Sequence, residues 1–199
     1  MEFQPFEEGI EVLGQTVWSI VDGFMLSKQA PSRILAAQGL GKLGPDGLIK
    51  LQPDAWYSQE AWLRCFKEIS ASAGAQVLFN IGKRIPENAI FPPWVVDVDS
   101  AIRSIDIAYH LNHRKQGQVM FDLSTQVMLE GIGHYGYARP SPSKPLIISE
   151  CVNPYPCDFD RGILTTMARK FQPTASIIHA EPERCRKTGA DGCVYHVKW

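Results

Sequence analysis

No stretch of this chain approaches the ~20 consecutive apolar residues that a membrane-spanning helix needs, so no membrane partner is expected. A basic surplus is missing too. The 20 Lys and Arg stand against 21 Asp and Glu, for a net charge of −1. A domain that grips phosphate backbones needs a positive face, so no nucleic-acid partner is expected either. The first residues, MEFQPFEEGIEVLG, carry acids and lack the basic-then-apolar pattern of a secretory signal. That points to a cytoplasmic protein with reduced thiols. No G-x-S-x-G, H-E-x-x-H or G-x-G-x-x-G motif occurs, and Gly39-Leu40-Gly41 and Gly44 follow no clear strand. No sequence logic pairs two carboxylates as acid and base. Nothing here marks an enzyme.

What is present is an ordinary globular composition, 45% hydrophobic over 199 residues, without internal repeat or low-complexity run. One domain over residues 1–199 is expected, with a mainly helical half (1–116) and an α/β half (117–199). Residues 8–26 read as an amphipathic helix. Residues 27–57, rich in Gly and Pro, read as a loop or short irregular elements. Ser58–Ser72 reads as a helix capped by Ser58, with Ala61, Trp62, Cys65, Phe66 and Ile69 on one stripe. AQVLFNIG fits a strand or a helix, and IPENAIFPPW a loop, because Pro86, Pro92 and Pro93 resist regular pairing. Residues 97–114 read as a helix with His113 and Arg114 in its last turn. After Gly117 the period changes from 3.6 to 2. QVMFDL reads as a strand, and GHYGYAR with KPLIISEC as a hairpin around PSPS. Asp158–Phe171 reads as a helix, and Ala175–Ala180 and Cys193–Trp199 as strands. The fold class is therefore α+β: N-terminal helices, then an antiparallel sheet with one helix packed on it.

Five cysteines are present, Cys65, Cys151, Cys157, Cys185 and Cys193, an odd count that suits a disulfide framework poorly. Cys65 falls on a helical apolar stripe and Cys151 at a strand end, and both read as core. Cys185 and Cys193 bracket the turn-forming run TGADG, and Cys157 precedes a helix, where unpaired N–H groups favour a thiolate. Three converging thiolates make most of a tetrahedral zinc site. His179, Glu181 and Glu183 share strand parity with Cys185, so alternation does not choose a fourth ligand among them. The spacing is not the C-x-x-C of zinc ribbons, and free cysteines are often simply small buried hydrophobes.

The run from Glu181 through Cys185 and Gly189 to Cys193, E-x-x-x-C-x-x-x-G-x-x-x-C, follows P-C-x-x-x-x-G at Pro156–Gly162 and a helix. This pattern resembles the vinyl-4-reductase domain family, which includes sensor domains of aromatic-responsive bacterial regulators and shares a fold with TRAPP vesicle-tethering subunits. The likeness covers residues 115–199. It implies zinc held by Cys157, Cys185 and Cys193. The family's Glu, three residues before the first Cys of the pair, falls on Pro182 here. Glu181 is taken with the cysteines as the expected set, with His179 and Glu183 as alternatives.

The resemblance further implies a structural zinc, a cavity for a small apolar or aromatic ligand, pairing as a homodimer, and output through a separate signalling protein. Candidate ligand contacts are Trp94, after Pro92-Pro93, and the helical trio Tyr109, His110 and His113. Alternatives are a reductase or thiol-dependent enzyme, as the family's name suggests, or a haem or tetrapyrrole carrier using His110 or His113.

Overall fold

The computed structural model describes residues 2–199. The chain begins as β1 (Ile10–Leu13), where buried Ile10 and Val12 alternate with partly exposed neighbours. A period of two belongs to a strand. This strand and two short helices, α1 (Gly14–Val17) and α2 (Ser19–Gly23), replace the single helix expected over residues 8–26. The stretch expected as a loop or short irregular elements holds a nine-residue helix, α3 (Gln29–Ala37), beside the short strands β2 (Lys42–Leu43) and β3 (Ile49–Lys50), which form a small hairpin, and β4 (Trp56–Ser58).

α4 (Gln59–Ser72) forms where its spacing predicts. The Ser58 hydroxyl accepts the N–H of Ala61 at 3.2 Å, satisfying one orphan donor of the first turn. Cys65 is core as expected, and burial raises its thiol to about 12. AQVLFNIG resolves as helix, inside α5 (Ala75–Glu87), and Pro86 sits in the last turn of α5 rather than in a loop. α6 (Val98–Leu111) starts at a capping box: the Asp97 carboxylate accepts from the Ser100 N–H at 2.7 Å, and the Ser100 hydroxyl from the Asp97 N–H at 3.0 Å. It stops short of its expected end, because His113 and Arg114 leave it for β5 (His113–Lys115), which pairs with β1.

The remaining elements are β6 (Gln118–Val119), β7 (Phe121–Asp122), β8 (Val127–Met128), β9 (His134–Tyr135), β10 (Leu146–Val152), α7 (Cys157–Phe171), β11 (Ser176–His179) and β12 (Cys193–Lys198). A 3-10 turn, Arg186–Thr188, precedes β12. Two four-stranded antiparallel sheets result, ordered β4-β1-β5-β6 and β11-β12-β10-β9. The α+β class stands, but the first sheet lies in the half expected to be helical. β9 and β10 form the hairpin expected around the Pro-rich loop, pairing Cys151 with Tyr135. α5 and α7 touch backbone to backbone. A Cβ on Gly82 would lie 2.0 Å from the Phe159 carbonyl oxygen, and one on Gly162 2.2 Å from that of Phe79. Only glycine permits this approach. Among the described residues, no helix is long and apolar enough to cross a membrane.

Candidate functional site

α2, α4, α5, α6 and α7 leave a cavity of about 330 Å³ between them. Its inner wall is aromatic, with Trp62, Tyr109, Tyr155 and Phe159 meeting edge to face around it. Its rim includes the exposed Gln15, Asn88, Ile90 and Trp94. Of the residues singled out as ligand contacts, Trp94, Tyr109 and His113 lie on this wall and His110 does not.

The polar groups of the inner wall are mostly committed to one another. The Nδ1 of His113 is 2.6 Å from the Tyr109 carbonyl oxygen, which can only accept, so Nδ1 carries the ring proton. Burial lowers the His113 pKa to about 4, so the ring is neutral and Nε2 holds a lone pair. The Tyr155 hydroxyl, 2.6 Å away, donates to that lone pair and accepts from the Gln59 amide at 3.1 Å. Tyr109 donates to the Ile132 carbonyl at 2.6 Å, and Ser104 to the Ala101 carbonyl at 2.8 Å. Arg84, the one charged residue on the wall, holds the Asp22 carbonyl and the Glu87 carboxylate. Two inner-wall atoms are left without a partner: the Trp62 indole nitrogen and the Ser19 hydroxyl. Sequence reasoning missed Ser19 and Tyr155, and no periodicity marks either.

His110 and His113 stand three apart but serve different surroundings. His110 is fully buried, its Nδ1 2.8 Å from the Asp106 carbonyl oxygen, and its ring lies 4.9 Å from that of His134. Burial lowers its pKa. It forms a small cluster with Asp106 and His134, separate from the cavity wall.

The expected cysteine convergence falls at the start of α7. Donor atoms of Cys157, Cys185, Cys193 and His179 lie within 4.8 Å of one another. Glu181 and Glu183 are exposed and stand outside this group. The Cys157 sulfur lies 3.1 Å from that of Cys193, and the Arg186 Nε–H points at the Cys193 sulfur from 3.3 Å. The hydrogen bond from Cys157, with Arg186 beside it, holds Cys193 down to about 4 despite burial. Arg186 also grips the Asn153 carbonyl at 2.6 Å and pairs with Asp160, both side chains fully buried. Tyr135 donates to the other Asp160 oxygen at 2.6 Å.

No family model matches the chain, and no curated protein does. Solved structures do. A point mutant of T. tengcongensis H-NOX aligns at TM-score 0.61 and 17% identity, over 93% of this chain and 96% of that one. A structure described as probing haem distortion in the H-NOX family aligns at 0.59 and 15%, over 94% and 92%. An S. oneidensis H-NOX protein in the Fe(II)NO ligation state aligns at 0.56 and 14%, over 94% and 98%. The fold is that of the H-NOX proteins. This corrects the resemblance to the vinyl-4-reductase domain and its TRAPP-like fold, which rested on the cysteine spacing and the C-terminal elements alone. The zinc assigned from that resemblance is withdrawn with it. The structures sharing this fold are described by haem and iron rather than zinc.

Proposed function

We propose that this chain is the ligand-binding part of a sensory protein, taking a small, largely apolar organic molecule into the cavity walled by Trp62, Tyr109, Tyr155 and Phe159. The observation that carries the reading is the cavity itself, aromatic-lined and left unfilled at the junction of α2, α4, α5, α6 and α7. Protein interiors are otherwise close-packed, and a well-formed apolar pocket with a few polar groups is the usual form of a ligand site. A ligand-binding role is supported by the fold, since one structure that shares it is described as an oxygen-binding H-NOX domain related to soluble guanylate cyclases. Pairing as a homodimer and output through a separate protein complete the proposal.

Haem binding is the second reading, favoured by the fold neighbours and by the neutral imidazole of His113 on the wall. Haem needs an axial donor atom with a free lone pair and partners for its carboxylates. Here the two histidines each lack one requirement: His113 lies on the cavity wall but its Nε2 is taken by Tyr155, while His110 Nε2 is free of partners but stands off the wall. The volume, about 330 Å³, also lies at the low end of the roughly 300–1,000 Å³ of small-molecule pockets.

An absorption spectrum and native mass spectrometry of freshly purified protein separate the readings. A colourless protein carrying, or titrating with, an organic molecule supports the first. A Soret band lost in His113→Ala supports the second. A colourless protein that neither retains nor takes up any organic molecule counts against both.

A further inference from the structure

Asp106 and His110 stand one helical turn apart on α6, so one face of the helix presents both. β9 brings His134 to them, and the next residue of that strand fixes the approach: the Tyr135 N–H donates to Asp106 Oδ1 at 2.9 Å. His134 Nδ1 lies 3.1 Å from Asp106 Oδ2, and His110 Nδ1 lies 3.5 Å from Asp106 Oδ1. One donor atom from each of the three residues falls within 4.8 Å of the other two. Metal–ligand bonds of about 2.0–2.2 Å at tetrahedral angles put donor atoms roughly 3.4 Å apart, so these three residues enclose a point that an ion can occupy after small side-chain shifts.

The donors are free to take an ion. His110 Nε2 is buried without a hydrogen-bond partner, although buried polar atoms ordinarily have one. His110 Nδ1 holds only the Asp106 carbonyl oxygen, at 2.8 Å, and that oxygen also accepts the helical N–H four residues on. Either nitrogen can therefore ligate without stranding a group in the core. A metal-bound imidazole ordinarily gives its other N–H to a carboxylate or carbonyl, and His134 has such a partner in the Glu130 carboxylate, 3.3 Å from its Nε2. Among the described residues no Lys or Arg pairs with Asp106 or Glu130, so only histidine offsets their charge. Solvent reaches the group, since the side chains of His134 and Asp106 are 39% and 19% exposed.

We propose that Asp106, His110 and His134 form a binding site for a divalent first-row transition-metal ion. Two imidazoles and one carboxylate suit ions such as Co(II) and Ni(II), whereas Mg(II) and Ca(II) take oxygen ligands. Three protein donors leave coordination positions open to water, and Glu130 orients His134 from outside. The site is distinct from the cysteine group and stands whether or not the cavity takes a ligand. It joins α6 to β9, which carry Tyr109 and Tyr135 of the cavity wall, so a bound ion braces that wall without entering the cavity.

Co(II) is titrated calorimetrically into the full chain, free of any histidine tag and stripped with a chelator, while the visible spectrum is recorded in parallel. One Co(II) per chain should bind at this site and raise the melting temperature, and Mg(II) should not compete. His134→Ala removes a partly exposed ligand, so a melting temperature near that of the wild type without metal shows the variant to be folded. Its affinity for Co(II) should fall more than about a hundredfold, beyond the 10–100-fold that loss of an outer partner commonly costs. Glu130→Gln changes only such an outer partner and should cost about tenfold. The binding event that His134→Ala removes should carry weak d–d bands and no thiolate-to-cobalt charge-transfer band. A wild type that binds no Co(II), or binding that both substitutions leave unchanged, overturns the proposal. Binding accompanied only by a thiolate band, and lost in Cys193→Ser, overturns it as well and assigns the ion to the cysteine group.

Discussion

His113 is held neutral by its surroundings, and that has a consequence for stability. Burial lowers its pKa to about 4 from an ordinary 6.5. Between those values the unfolded chain binds a proton that the folded chain refuses, so stability rises with pH across the window and is lost as pH falls through it. A shift of this size corresponds to roughly 3 kcal/mol. His110, also lowered by burial, acts in the same sense. His134 acts in the opposite one: burial opposes its charge, but the Asp106 hydrogen bond prevails and raises its pKa. Asp160, raised to about 6 by burial, also opposes the His113 effect, because the folded chain keeps a proton there that the unfolded chain has lost. The test is therefore a difference: between about pH 4 and 6.5 the melting temperature of the wild type should rise more with pH, or fall less, than that of His113→Gln, and parallel profiles would contradict the neutral, buried assignment of His113.

At the scale of elements, α7 is fixed from two sides. Towards the second sheet the fastener is Arg186, which reaches from the 3-10 turn to Asp160 on α7, to Asn153 after β10 and to Cys193 on β12. Replacing one member of a buried ion pair strands the other, at about 3–5 kcal/mol. Arg186→Met should therefore lower the denaturant midpoint severely, and adding Asp160→Asn should recover part of the loss. Simple additivity of the two in a double-mutant cycle would show the pair to be uncoupled. Towards α5 the fastener is the glycine contact. In Gly162→Ala the new methyl meets the Phe79 carbonyl, which is backbone and cannot rotate away. Overpacking of this kind costs roughly 1–3 kcal/mol, measurable by urea unfolding, and a stabilised variant would rule out the close approach.

The same elements show what the sequence made legible. α4 and α6 carry caps and broad apolar stripes, both local signals, and both appear where the spacing predicts them. β1 is four residues long, too short for its period to outvote a helical one, and its partners β4 and β5 come from distant parts of the chain. Arg186 was illegible for a related reason. A charged residue beside Cys185 in a polar turn reads as exposed, and only tertiary structure brings Asp160 to it. Trp62 and Tyr109 were legible as apolar, but periodicity cannot say whether a buried ring packs solidly or borders a void. The fold family was missed because the cysteine spacing drew attention to one corner of a chain whose likeness to H-NOX structures extends over 94% of its length.

At the scale of the molecule, the unfilled cavity sets stability against function. A void forfeits the dispersion contacts that its lining atoms would otherwise make, so a chain selected for stability alone would have filled it. Ser104 lies on the wall, and its hydroxyl bonds only back to the Ala101 carbonyl of its own helix. Ser104→Leu therefore strands no partner in the core and adds apolar atoms to the space. The ligand-free protein should gain about 1 kcal/mol, as cavity-filling changes commonly give, or a rise of roughly 2–4 °C in Tm for a chain of this size. Ligand binding should move the other way. A ligand present at a hundred times its Kd stabilises the wild type by about 2.7 kcal/mol, and the variant should lose most of that increment because the space is taken. Differential scanning fluorimetry with and without an apolar aromatic probe, benzophenone, reads both effects in one experiment. Opposite signs, a higher Tm without ligand and a smaller shift with it, are what a cavity kept open for binding requires. A variant that loses stability in the absence of ligand would mean that the space beside Ser104 is already packed, and that the site must be sought elsewhere on the chain.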